Sequence, residues 1–211
     1  MITDLDLVLA CQATYSGAPP TWTTDVTHAY LSVVNGVWVF AWEGTTDLAE
    51  WAVDFEAIPV DERGFNHDAL GWVHKGWWDD VDSLAKPMLA QAHSIQAQGQ
   101  RMACTGHSKG AGEALIFAAL AATDGIKWDR VSTFGTPHPG ALNGLVTSAI
   151  GCDYRNRSDP VCDVPWYLGR PRPLTEVKSE PAPSIADPWG PLRDHHIAEY
   201  VAAMRGKEIA P

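Results

Sequence analysis

The chain has 211 residues, 45% hydrophobic and 19% charged, a composition that excludes disorder and fibre and suits one globular domain spanning 1–211. Lys and Arg number 15 against 26 Asp and Glu, a net charge of −11, and so acidic a surface repels phosphate backbones, which excludes nucleic acid as a partner class. The longest apolar run, 114–122, falls well short of the ~20 residues of a membrane helix, and the acidic start, Met1 to Asp6, lacks the basic segment of a secretory signal. Stable membrane insertion is therefore not expected, and a cytoplasmic location is the default, with release by another route left open.

In chain order, Leu5, Val8, Leu9 and Gln12 share one side of a helix predicted over Thr3 to Ala13. Tyr30 to Val34 and Val37 to Trp42 are β-branched and aromatic, and Asn35-Gly36 between them is a strong hairpin signal. Leu48, Trp51, Ala52 and Phe55 recur at helical spacing over 46–57, flanked by Asp47, Glu50, Asp54 and Glu56. A third helix is predicted over Trp78 to Gln98, bent or disrupted near Ser83 by Pro87. Next come a strand (Arg101 to Thr105), a glycine turn, a helix (Ser108 to Thr123), strands at Arg130 to Phe134 and Asp153 to Asn156, a proline-rich loop with a short strand near Pro173 to Lys178, and a last helix over Asp194 to Met204. This alternation predicts an α/β fold, a mostly parallel sheet with helices on both faces and an antiparallel hairpin near its N-terminal end.

Gly106-His107-Ser108-Lys109-Gly110 fits G-x-S-x-G between an apolar strand and an Ala-rich helix, the setting of a nucleophile elbow. Small flanking residues permit the sharp turn that exposes the serine, and the helix N-terminus behind it offers amides to an oxyanion. A serine that merely caps the helix predicts the same local shape. If Ser108 is a nucleophile, it needs a downstream base and an acid to orient that base. Asp159, just after a strand, and Asp163 are the candidate acids; His195 and His196 are the candidate bases. His107 is expected to pack inside the elbow, and His74 and His138 to be hydrogen-bonded structural residues.

Other segments carry a resemblance. Phe40-Ala41-Trp42-Glu43-Gly44-Thr45-Thr46, Val73-His74-Lys75-Gly76-Trp77, Thr133-Phe134-Gly135-Thr136-Pro137, the run from Asn156 to Pro165, and Asp194-His195-His196-Ile197 through Tyr200 resemble, in this order, motifs of the class 3, fungal-type lipases of the α/β-hydrolases. The resemblance implies that fold, a Ser108–His195–Asp159 triad, and an oxyanion hole made by Thr45 and the amide of Lys109. Glu43 and Lys109 depart from it, Glu43 standing where the family usually has Arg and Lys109 where many members have Leu. They either pair across the site, or Lys109 meets Glu113 at i, i+4 on the helix surface. The 46–57 helix corresponds to a movable lid, with Leu48, Trp51 and Phe55 as its substrate-facing stripe; a core-packed helix is the alternative.

Together these readings point to a serine carboxylic ester hydrolase acting on small-molecule or lipid esters, with short to medium acyl chains as the expected substrates. Small soluble or phenolic esters are the second substrate class. A catalytically silent binding module of the same fold would need a broken site, and every required residue type is present. No organic cofactor is implied, and the histidines lack the spacing of a zinc site. Cys152 and Cys162 flank the acid-bearing strand without a spacing that demands a disulfide.

Overall fold

The computed structural model describes residues 1–45, 64–142, 150–179 and 190–209. Helix α1 (Asp4–Thr14) begins in a capping box, where the Thr3 hydroxyl accepts from the Asp6 amide and the Asp6 carboxylate accepts from the Thr3 amide. Strands β1 (Trp22–Thr23), β2 (His28–Val34) and β3 (Val37–Trp42) follow. Asn35 and Gly36 both take positive φ between β2 and β3, as a tight hairpin requires. A separate hairpin of β4 (Gly64–His67) and β5 (Gly71–His74) leads into α2 (Lys75–Ala97). Then come β6 (Arg101–His107), α3 (Lys109–Thr123), β7 (Arg130–Phe134), β8 (Asp153–Asn156), a 3-10 turn (Pro160–Asp163), β9 (Leu174–Val177), α4 (Gly190–Arg193) and α5 (Ile197–Ile209).

Seven strands form one sheet in the order β1-β2-β3-β6-β7-β8-β9. β2 pairs antiparallel with β1 and β3, and every neighbour from β3 to β9 is parallel. Alternation along β3 divides the core in two. Phe40 and Trp42 join Met102 and Cys104 of β6 under α2 and α3, whereas Val37, Val39 and Ala41 join Ala103 under α1 and α5. The parallel strands β3, β6, β7 and β8 end on the same edge, with Trp42 beside Gly106 and His107 beside Phe134. Loops leaving that edge converge, as in other open α/β sheets.

Several expectations change. α2 starts at Lys75, three residues early, because His74 caps it by accepting from the Trp77 amide at 3.3 Å. It runs through Pro87 without the interruption expected near Ser83, since Val81, Leu84, Ala85, Met88, Ala92 and Ile95 stay buried along one stripe on both sides of the proline. β6 extends two residues further, to His107, because β3 and β7 both offer it partners there. The last helix begins at Ile197 rather than Asp194. Residues 194–196 form a turn in which the Asp194 carbonyl accepts from the Asn156 side chain and its carboxylate from the Ser158 amide, so the helical ladder loses them. β1 and the β4–β5 hairpin were not expected. The predicted 46–57 helix, with Leu48, Trp51 and Phe55, lies outside the described residues. All four cysteines are free thiols.

Candidate active site

At the end of β6 the chain reverses into α3 through Ser108, whose φ of 60° and ψ of −131° lie where side chains are rarely tolerated. The turn is held by the Ser108 amide, which donates to the Phe134 carbonyl at 3.0 Å. Gly106 is required for the helix to cross this closely, because a Cβ there would lie 2.1 Å from the Gly110 carbonyl oxygen. Ser108 occupies the N-cap position, yet its hydroxyl makes no capping bond. Its Oγ is buried and lacks a hydrogen-bond partner among the described residues, so the side chain does no structural capping.

His195, in the turn before α5, is fully buried, and its Nδ1 lies 2.8 Å from Asp159 Oδ2. The carboxylate can only accept, so Nδ1 carries the proton and Nε2 presents a lone pair. That Nε2 is likewise buried and unpartnered among the described residues. Asp159 Oδ1 accepts from the Val161 amide at 2.9 Å, and Oδ2 accepts from the Tyr200 hydroxyl at 2.5 Å. Burial by itself would raise the Asp159 pKa; the hydrogen bond and charge of His195, then Tyr200 and Val161, outweigh it and hold the carboxyl below its ordinary value. Gly135, at φ 60°, lies against this pair, and a Cβ there would come within 2.7 Å of His195 Cε1 and 3.0 Å of Asp159 Oδ2.

The rival residues lie elsewhere. Asp163 is bound by Arg155 at 2.7 and 2.9 Å, and His196 is exposed. His196 is not on a helix with His195, contrary to expectation; both lie in the turn. His138 Nδ1 bonds the Leu168 carbonyl at 2.5 Å. Thr45 is half-buried just past β3, beyond Gly44, where a Cβ would lie 2.9 Å from Ser108 Cβ. Glu43 does not pair with Lys109: it accepts from the Tyr30 hydroxyl at 2.6 Å. Lys109 Nζ sits 2.7 Å from Glu113 and 2.8 Å from Asp80. The i, i+4 pair thus forms, but Glu113 is fully buried rather than on the helix surface.

Two contributors were not identified from the sequence. His107 Nε2 lies 2.7 Å from the His195 carbonyl and must donate to it, so Nδ1 accepts from the Tyr15 hydroxyl at 2.8 Å. Tyr15, at the end of α1, in turn accepts from the Gly44 amide at 3.0 Å. One chain of bonds therefore joins the segment before Thr45 to the backbone of His195, with the two imidazoles stacked at 4.7 Å. Burial, then the neighbouring His195, pushes the His107 pKa down to about 3, keeping it neutral. Tyr200 closes one of the quoted motifs but had been given no role, and nothing local marks Tyr15.

Residues 39–166, more than half of the chain, match the family model of the class 3 lipases. The chain belongs to the class 3 lipase family. The matched segment holds Thr45, Ser108 and Asp159, while His195 lies beyond it. Solved structures similar to this chain include a fungal lipase (19% identity, 78% of this chain and 65% of that one, TM-score 0.62). Others are the triacylglyceride lipase of Rhizomucor miehei (19%, 74% and 64%, 0.59) and the mono- and diacylglycerol lipase of Aspergillus oryzae (19%, 77% and 62%, 0.59). The fold is that of the α/β-hydrolases, and the chain spans slightly under two thirds of the length of these three proteins. No protein of curated function matches the sequence. Among the described residues, no helix is long and apolar enough to cross a membrane.

Proposed function

We propose that this class 3 lipase is a serine carboxylic ester hydrolase in which Ser108 attacks the ester carbonyl. His195 Nε2 takes the hydroxyl proton and then delivers it to the departing alkoxide, leaving an acyl-enzyme; a water activated by the same nitrogen hydrolyses it and regenerates Ser108. Asp159 keeps His195 in the tautomer that can accept. The amide of Lys109, at the start of α3, together with the amide and hydroxyl of Thr45, holds the oxyanion. The observation that carries this reading is the buried His195–Asp159 bond of 2.8 Å, with Nε2 free of other partners among the described residues and Ser108 held in a strained turn whose hydroxyl caps nothing. Free enzymes often leave the serine–imidazole bond long or unformed until substrate binds.

Acyl esters of short to medium chain are the substrates we favour, because the apolar stripe of Leu48, Trp51 and Phe55 follows Thr45 closely in sequence and is narrow and flanked by acids. A fluorophosphonate probe should label Ser108, and Ser108→Ala should lose labelling and at least ~10⁴-fold of turnover with its fold intact. Activity within about tenfold of wild type in that variant would put the nucleophile elsewhere. A panel of esters with acyl chains from acetyl to stearoyl, extended to phenolic esters, reads the substrate class.

A further inference from the structure

The Lys109 side chain is saturated in an unusual way. Its ammonium lies 2.8 Å from Asp80 on α2, 2.7 Å from Glu113 one turn along α3, and 2.8 Å from the Val26 carbonyl in the turn between β1 and β2. Two carboxylates thus flank the ammonium as ion pairs, and the Val26 carbonyl accepts a hydrogen bond from it. The Lys109 and Asp80 side chains are each only 15% exposed and that of Glu113 is not exposed at all. The second Glu113 oxygen accepts from the Thr27 hydroxyl at 3.1 Å, which ties the same turn to the same carboxylate. Burial pulls the lysine pKa down, but Glu113 and Asp80 more than offset this and raise it; burial also pushes the Glu113 carboxyl up to about 8, against the pull of Lys109.

This cluster grips α3 at its first residue, directly after Ser108. On the neighbouring residue, a Cβ at Gly110 would come within 2.5 Å of the Trp42 carbonyl oxygen, so the start of α3 is pressed against the end of β3, the strand that leads to Thr45. The geometry points to Lys109 as a positioning residue: its side chain staples the first turn of α3 to α2 and to the β1–β2 turn, fixing the direction of its own amide, an inference that rests on that amide serving the oxyanion. A buried charge makes the tether directional, because an ammonium that loses one oxygen cannot replace it with an apolar neighbour.

A shifted donor weakens the transition state more than the bound substrate. Removing a whole oxyanion donor costs ~10²–10³ in rate, and misaligning one costs less. In Lys109→Met, the second-order rate of fluorophosphonate labelling and kcat on a short-chain p-nitrophenyl ester are both expected to fall ~10–100-fold, with KM within about twofold. Asp80→Asn, which removes one arm from outside the elbow, is expected to lower both rates about three- to tenfold, and to add little in the Lys109→Met background because it acts through that lysine. Labelling and kcat within about twofold of wild type in folded Lys109→Met, with only the melting temperature lowered, would reduce the cluster to a structural one and overturn the inference. If Lys109→Met does not fold, Asp80→Asn decides by the same criterion. Wild-type protein that the probe fails to label would instead defeat the hydrolase reading itself.

Discussion

The arrangement around Asp159 distinguishes two carboxylates four residues apart. Asp159 faces His195 from the interior, whereas the Asp163 side chain is 60% exposed and held by Arg155. Asp159→Asn is therefore expected to lower kcat by ~10³-fold or more, as loss of an orienting acid does, and Asp163→Asn to stay within a few fold; kcat for both variants on one ester checks this. Tyr200 donates to the same oxygen that His195 uses and itself accepts from the Asn156 amide at 3.0 Å. Tyr200→Phe leaves that buried amide unpaired and Asp159 with one donor fewer. We expect about tenfold loss in kcat, KM unchanged, and about 1–3 kcal/mol of stability lost, the cost of unsatisfied buried polar groups, measured by steady-state kinetics alongside urea unfolding.

Elements with a strong periodic signal were legible in the sequence. The β2–β3 hairpin follows from β-branched and aromatic runs around Asn35-Gly36, β7 from Val131 and Thr133 after a helical segment, and α3 from its Ala-rich run after the elbow. β4 and β5 were not, because Gly64-Phe65-Asn66-His67 has no alternation to mark it and Gly71 enters its strand at positive φ. Site chemistry divides similarly. Ser108 announces itself by its glycines, but Tyr15 meets His107 across 92 positions and Asp80 reaches Lys109 from another helix, contacts that tertiary packing alone creates. For the segment 46–57, the expected outcome is that Trp51→Ala and Phe55→Ala change the acyl-chain profile more than stability. Losses of ~3–5 kcal/mol with an unchanged profile, typical of core aromatic truncation, would make it core instead; chain-length panels and unfolding curves on both variants decide.

Across the whole molecule, buried titratable groups set the response to acid. His107 has a folded pKa of about 3 against ~6.5 for a free imidazole. Between those values the unfolded chain takes up a proton that the folded chain refuses, so stability is complete above the upper value and falls as pH drops toward the lower, by up to about 1.4 kcal/mol per unit. Asp159 and Asp4, whose pKa values are held below the ordinary carboxylate value, contribute stability that disappears only as pH falls through those lowered values. Burial pushes the Glu113 carboxyl up to about 8, which works in the opposite direction and adds stability as pH falls toward the ordinary carboxylate value, so the effect of His107 is read as a difference: His107→Asn should lose less stability than wild type on going from pH 6 to 4, as urea titrations of both proteins at a series of pH values would show. Finally, Tyr15 is the last link between α1 and both loops of the site, through Gly44 on one side and His107 on the other. Helix α1 packs on the sheet face opposite α2 and α3, so an opening that releases it separates Gly44 from His107. On the proposed function, activity is expected to be lost with the opening of α1, and hydrogen exchange at the Gly44 amide, compared with amides of β6 across a denaturant series, reads whether that opening precedes global unfolding.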